Sequence, residues 1–264
     1  MQRTSSSTST IENRAPRRSP VVGWTSVTGR RRSVNEDAVL TGPAWYAVAD
    51  GLGGHRAGEV ASTLVVDVLA GFATVGTATD PDIIDAVIER AITRASNIVH
   101  RAATGPRSGM GTTVVGAVVL DDGSTTVFHV GDSRCYRFHG GALSLLTTDH
   151  THVQELVDTG HLTRDRAHTH PLRNVLTRAI GTRPDVSADL RRVGAPTGRL
   201  LLCSDGVWAH LEPSVIERIL DVVGDPQHAA DELVGSAIES GSPDDASAIV
   251  IDTCPDLVPL PVVG

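Results

Sequence analysis

WYAVADGLGGH, residues 45–55, runs five apolar, aromatic or β-branched side chains (Trp45, Tyr46, Ala47, Val48, Ala49) into one carboxylate, Asp50, and then into a turn holding Gly51, Gly53 and Gly54. The composition of the run is that of a strand, and the glycines punctuate its end. The carboxylate is therefore held at a rigid strand terminus. Glycines beside it remove Cβ atoms, so backbone carbonyls as well as the side chain can come close to an ion or a phosphate. Alone, Asp-Gly also closes ordinary turns.

The same arrangement recurs outward along the chain. Residues 127–130 lead into Gly131-Asp132-Ser133, residues 200–203 lead into Ser204-Asp205-Gly206, and Asp244-Asp245 open the apolar run 246–251. Four strand-terminal carboxylates, most without a basic neighbour in sequence, are costly to gather unless a cation neutralises them. A hard divalent metal is the simplest such cation.

Composition narrows the partners. The 264 residues are 40% hydrophobic, enough for one sizeable core, and the expected organisation is a leader over 1–20, a domain over 21–253 and a tail over 254–264. Net charge is −8, and all 23 basic residues are arginine; the first twenty hold four arginines against one glutamate, so the remainder is more acidic still. An acidic body argues against nucleic acid as the partner. Residues 1–20, rich in Ser and Thr and poor in apolar groups, are expected to be disordered. No apolar run reaches the ~18 residues of a membrane span, and the N-terminal stretch lacks a signal-peptide core. Cys135, Cys203 and Cys254 have no metal-type spacing and read as buried, reduced thiols. The expectation is a cytoplasmic, monomeric protein with no membrane attachment of its own.

Periodicity supplies the fold class. Residues 21–27 read as an edge strand, followed by a turn carrying Gly29, Arg30, Arg31, Arg32, Asn35, Glu36 and Asp37. The three arginines fit a solvated turn, or an oxyanion site if the Asp50 turn lies near. Ala57, Val60, Ala61, Leu64, Val65, Val68, Leu69 and Phe72 follow helical spacing, and a second stripe runs from Ile83 to Val99 behind Asp82 as a candidate N-cap. Strands are predicted over 111–120, 125–130, 135–138 and 142–146, with hairpin turns at Asp122-Gly123 and Gly140-Gly141. Further strands are expected over 186–193 and 199–203, helices over 213–223 and 226–240, and a last strand over 246–251. This order is no βαβ alternation. It implies an α+β fold, a four-layer α/β/β/α sandwich of two mainly antiparallel sheets flanked by helices.

Residues 149–182 interrupt the pattern and read as a substrate-facing flap. Four histidines (His150, His152, His161, His168, with His170 close behind) lack a closed zinc pattern and are expected at the surface.

Six motifs, in order, carry a resemblance: Arg32-x-x-Asn35-Glu36-Asp37, Asp50-Gly51-x-Gly53-Gly54-His55, Gly109-Met110-Gly111-Thr112-Thr113, Gly131-Asp132-Ser133-Arg134, Ser204-Asp205-Gly206 and Asp244-Asp245-Ala246-Ser247. The chain resembles the bacterial metal-dependent Ser/Thr protein phosphatases of the PPM or type 2C family over about residues 21–253. Two departures stand out. Asp245 occupies the place of the family's usual Asn, and Leu52 stands where some eukaryotic members carry a histidine proposed as general acid.

The resemblance implies that Asp50 bridges two Mn²⁺ or Mg²⁺ ions, with the Gly51 carbonyl on one and Asp205 and Asp244 on the other, and that Asp132 with Asp205 forms a third, weaker site. Asp37 would hold metal-bound water, with Glu36 in the same network, and Arg32 would grip the substrate phosphate. Arg32, Asp37, Asp50 and Asp205 are then the catalytic set. His55 reads as closing the glycine turn in preference to proton transfer, Arg134 as pairing with an acid or capping a strand end in preference to touching substrate, and 109–113 as packing backbone against the site. The implied activity is hydrolysis of phosphoserine and phosphothreonine in proteins by a metal-bridging hydroxide, a chemistry two adjacent divalent ions supply. Ser/Thr kinases and their substrates would be the partners. Two alternatives are a phosphoprotein-binding pseudophosphatase and a metal-dependent small-molecule phosphoesterase.

Overall fold

A computed structural model of the chain describes residues 19–52, 57–73, 80–195 and 197–253. Gly53, Gly54, His55 and Cys254, with residues 1–18 of the expected leader and the expected tail, lie outside the described residues. One sheet holds β1 (Val21–Val27), β7 (Arg134–His139), β8 (Ala142–Leu145), β10 (Arg199–Cys203) and β11 (Ala246–Asp252), in the order β1-β11-β10-β7-β8. The other holds β2 (Asp37–Thr41), β3 (Trp45–Leu52), β5 (Val114–Val119), β6 (Thr125–Val130) and β9 (Asp189–Val193), in the order β2-β3-β5-β6-β9, with the short β4 (Gly111–Thr112) also paired to β3. Every strand pairing is antiparallel among the described residues.

The central strands lack polar alternation because both of their faces are buried. On β3, Trp45 and Ala47 enter the core shared with helices α1 (Gly58–Ala73) and α2 (Pro81–Ala102), while Tyr46 and Val48 enter the layer between the sheets. On β10, Leu201 and Cys203 face α6 (Pro213–Val222) and α7 (Pro226–Glu239), while Leu200 and Leu202 face the opposite sheet. Period-2 alternation thus sorts side chains between two apolar cores. Helices cover both outer faces, which makes the four-layer α/β/β/α sandwich, with β1 at a sheet edge. Asp80, not Asp82, caps α2; its carboxylate accepts from Asp82 N, with Pro81 in the first turn.

Three elements differ from expectation. Asp37 opens a strand, β2, where a turn was expected. The predicted strand 111–120 breaks at Thr113 into β4 and β5, and the strand expected from 186 starts at Asp189. Residues 149–182 contain α3 (His152–Asp158) and the single turn α4 (Arg164–Ala167), and another single turn, α5 (Asp205–Trp208), follows β10.

Candidate active site: carboxylates at one end of the sandwich

Antiparallel pairing sends the ends of alternate strands to the same place. Asp37 and Asp50 are direct partners across β2 and β3. β10 ends at Cys203, just before Ser204 and Asp205; β11 starts at Ala246, just after Asp244 and Asp245; β6 ends at Val130, just before Asp132. Because Cys203 pairs with Ala248 and Val114 with Val130, these termini share one end of the sandwich.

Local hydrogen bonds fix them. Ser204 Oγ donates to Asp37 Oδ2 (2.8 Å) and accepts from Ser247 N (3.0 Å), tying the first sheet to the second. Asn35 accepts from Asp37 N (2.9 Å) and donates to Ser26 Oγ (2.9 Å). Thr113 breaks the predicted strand because it serves Asp50: its N–H donates to Asp50 O (2.8 Å), and its Oγ1 accepts from Asp50 N (3.2 Å). Thr112 Oγ1 adds a second donor to Asp50 O (2.7 Å). Gly131, at φ +103°, lies against Thr113, whose side chain would be 2.6 Å from any added Cβ. Gly51 approaches the start of α1 so closely that a Cβ would sit 2.4 Å from the Gly58 backbone. That contact is why the motif needs glycine at 51.

The electrostatics are strained in one direction. Burial, then Asp37 and Asp205, hold the Asp50 carboxyl well above the usual carboxylate range. Burial lifts Asp37 to about 7 against the hydroxyls of Ser247 and Ser204, and lifts Asp132 to about 8 with Asp205 and Asp149 adding to the rise. Asp205 is raised by burial and by Asp244, against an opposing pull from the neighbouring Asp50 side chain. Asp37 Oδ1 is buried without a hydrogen-bond partner. Like charges withdrawn from water raise one another's pKa values in this way.

Arg32 stands at the rim with its side chain one-third exposed. It donates from Nε (2.8 Å) and Nη2 (2.6 Å) to Asp244 Oδ1, and from Nη1 to Glu36 Oε2 (2.6 Å). Asp245 is buried, and its two oxygens are both spent on backbone: Oδ1 accepts from Gly29 N (2.8 Å) and Oδ2 from Glu36 N (2.7 Å). Those amides bracket the loop that carries Arg32. A carboxylate can accept from two N–H groups at once, whereas an Asn there would turn its amide nitrogen towards one of them.

Arg134 pairs with an acid as expected, bidentate to Asp149 (2.9 and 2.7 Å), with its guanidinium 3.4 Å from the centre of the Trp208 ring. His150 is buried, contrary to the expected surface position. Gly131 N donates to its Nδ1 (3.0 Å), so the ring proton sits on Nε2, 3.2 Å from Asp189 Oδ2, and burial lowers its pKa to about 4. His129, stacked on it with centroids 4.6 Å apart, donates from Nε2 to Thr148 O (2.8 Å). His129, His150 and Asp189 have ligand atoms within 4.8 Å of one another; His150 Nε2 is buried without a hydrogen-bond partner, and Asp189 is itself paired with Arg178. The aspartates at the strand ends are spread more widely: among the described residues no three of them meet that spacing. Ser204 and Thr113 stood in the sequence motifs, but their bonds to Asp37 and Asp50, and Asp149 as the acid that Arg134 meets, join residues separated in the chain and were not legible there.

The family model for protein phosphatase 2C matches residues 29–234. The chain belongs to this family. The serine/threonine protein phosphatase PstP of Mycobacterium tuberculosis is 39% identical over 230 residues, 85% of this chain and 43% of that protein, so the chain spans less than half the length of this relative. The serine/threonine phosphatase stp of Listeria monocytogenes is 33% identical over 209 residues, covering 78% of this chain and 82% of that one. Among solved structures, the catalytic domain of PstP in complex with two manganese ions superposes with a TM-score of 0.79 at 33% identity, covering 89% of this chain and 98% of that one.

Proposed function

We propose that the chain is a metal-dependent protein serine/threonine phosphatase. The observation that carries this reading is the convergence of four carboxylates at one end of the sandwich, Asp132 buried and Asp37, Asp50 and Asp205 half-buried, with Asp37 directly opposite Asp50, all four with raised pKa values and one holding a buried oxygen without a hydrogen-bond partner. Such a set fits hard divalent cations, and its wide spacing fits ions that retain waters and take few direct protein ligands. Asp50, the Gly51 carbonyl, Asp205 and Asp244 would hold two Mn²⁺ or Mg²⁺ ions, and Asp132 with Asp205 a weaker third. When bound, two such ions supply Lewis-acid charge and a hydroxide nucleophile near neutral pH for in-line attack on phosphorus.

The chain's own groups do the rest. Arg32 offers a planar, permanently charged fork to the phosphate oxygens, and its position at the rim leaves it reachable. Asp37, oriented by Ser204 and Asn35, presents one free oxygen to the interior of the site. Among the described residues no side chain there is poised as a nucleophile: Ser204 donates to Asp37, Ser133 is bonded to Thr113, and burial pushes the Cys135 and Cys203 thiols up, away from thiolate. Direct attack by water needs none.

The names of the relatives favour phosphorylated proteins, products of Ser/Thr kinases, as the substrates, and so a role in signal transduction. Two buried free cysteines suit a reducing cytoplasm, and no helix among the described residues is long and apolar enough to cross a membrane. Residues 149–182 are assigned to the substrate-facing flap. The test is phosphate release from a phosphothreonine peptide with Mn²⁺, beside nucleotides and with chelator. No release from the peptide refutes the assignment, and release from nucleotides alone makes the protein a small-molecule phosphoesterase.

A further inference from the structure

The sandwich is open along one flank, where β8 ends the first sheet and β9 ends the second. A cavity of about 230 Å³ lies there, far above the roughly 10–15 Å³ that one water requires. Its lining is unusual for a gap between sheets. On β7, Cys135 faces the inter-sheet layer and Tyr136 faces the helices, so the strand period turns Arg137 inward. On β9, Val193 faces that layer and Leu190 packs towards the α2 side, so Arg191 points inward as well. Ser144, the register partner of Arg137, shares its face, and Leu146 closes the inner wall.

These guanidiniums have no acid. Arg137 Nε is buried without a hydrogen-bond partner, and Arg191 makes one bond, from Nη1 to Leu146 O (3.2 Å). Among the described residues no Asp or Glu lines the cavity; the carboxylates of Asp82 and Asp85 hold Arg192, on the neighbouring position of β9. In a chain of net charge −8, the exposed Arg191 and the half-buried Arg137 border one recess with no carboxylate of the described residues between them, and Arg137 Nε is left unsatisfied, a cost that an anion removes. Guanidinium forks select planar or tetrahedral oxyanions, and the Ser144 hydroxyl adds a neutral donor.

We propose that this flank cleft is a second oxyanion site, taking a phosphate-type group between Arg137 and Arg191. It stands on these residues alone and does not depend on the phosphatase reading. The group has two sources, free inorganic phosphate or a phosphoryl group elsewhere on a protein substrate. From Arg134, beside the carboxylate end, to Arg137 is three strand residues, roughly 10 Å, so a phosphoprotein held at one site is within reach of the other.

The direct test is a selenate soak of crystals of the full chain, with selenium located by anomalous scattering. A peak between Arg137 and Arg191 is expected, and its absence overturns the proposal even if every variant fails to fold. In solution, sulfate is titrated calorimetrically in an Arg32→Ala background, so that only the flank is read. Adding Arg137→Gln and Arg191→Gln should weaken binding at least tenfold. Unchanged binding would leave the arginines as inward charges that guard two sheet edges, and the proposal falls. Sources are separated on the Arg137→Gln/Arg191→Gln protein with Arg32 intact. If KM rises for a doubly phosphorylated peptide and not for a singly phosphorylated one, the substrate supplies the group. If only inorganic phosphate binding changes, free phosphate does.

Discussion

Arg32 is bonded to Asp244 through two nitrogens that converge on one oxygen, Nε at 2.8 Å and Nη2 at 2.6 Å, which leaves Oδ2 of Asp244 clear of the guanidinium. The group proposed to grip phosphate and a proposed metal ligand are thus one unit. Glu36 holds the third nitrogen, and burial raises its own pKa against the pull of Arg32. The aim of the guanidinium is set before substrate arrives.

Arg32→Lys keeps the charge and loses the fork, so phosphate capture should suffer more than chemistry. The expected result is a KM for p-nitrophenyl phosphate raised about tenfold, about 1.4 kcal/mol of binding, with a smaller fall in kcat. An unchanged KM removes Arg32 from substrate binding.

Asp245→Asn tests the loop brace. The buried carboxylate accepts from Gly29 N and Glu36 N, and the amide would set a donor against one of those N–H groups. An unsatisfied buried donor costs about 1–3 kcal/mol, which in a chain of this size lowers Tm by about 2–4 °C per kcal/mol. Thermal melts of the metal-loaded protein read the effect, and an unchanged Tm shows that the brace contributes nothing.

Much of this was legible in the sequence, for a physical reason. A strand buried on both faces keeps its apolar run whatever its neighbours, so β3, β10 and β11 and the carboxylates at their ends stood out. β2 did not: Asp37-Ala38-Val39-Leu40-Thr41 is short, opens with a charge and follows a polar turn, and it becomes a strand through pairing with β3. Asp245 looked like an extra charge beside Asp244 because its two partners lie more than two hundred residues away. The burial of His150 was hidden likewise, since Gly131 N and Asp189 reach it only in the folded chain.

Asp205 and Asp132 should separate in kinetics. Asp205 faces Asp50 and Asp244 and is proposed as a ligand of the core ions, whereas Asp132 lies against Asp205 and Asp149. Asp205→Asn is expected to abolish turnover and Asp132→Asn to reduce it partially, at saturating Mn²⁺. Equal losses would refute that division.

Without metal, the carboxylate cluster should weaken the fold. Asp37 at about 7, Asp132 at about 8 and the raised Asp50 and Asp205 all bind protons more tightly folded than unfolded, where an aspartate titrates near 3.9. Their contribution favours the folded state fully below about pH 4 and is lost as pH rises through about 7 to 8, so stability in chelator should fall across that window. Asp205→Asn removes one charge from the cluster and should melt higher than the parent in chelator at pH 7.5. Mn²⁺ acts in the opposite sense, because it binds the folded state and adds RT ln(1 + [L]/Kd), about 2.7 kcal/mol at a hundredfold excess over Kd. The parent should therefore gain more from Mn²⁺ than the variant and overtake it. Melts of both proteins in chelator and in Mn²⁺ give four temperatures whose order is fixed. If the parent is already the more stable in chelator, or gains no more than Asp205→Asn on adding Mn²⁺, these aspartates are not the metal site.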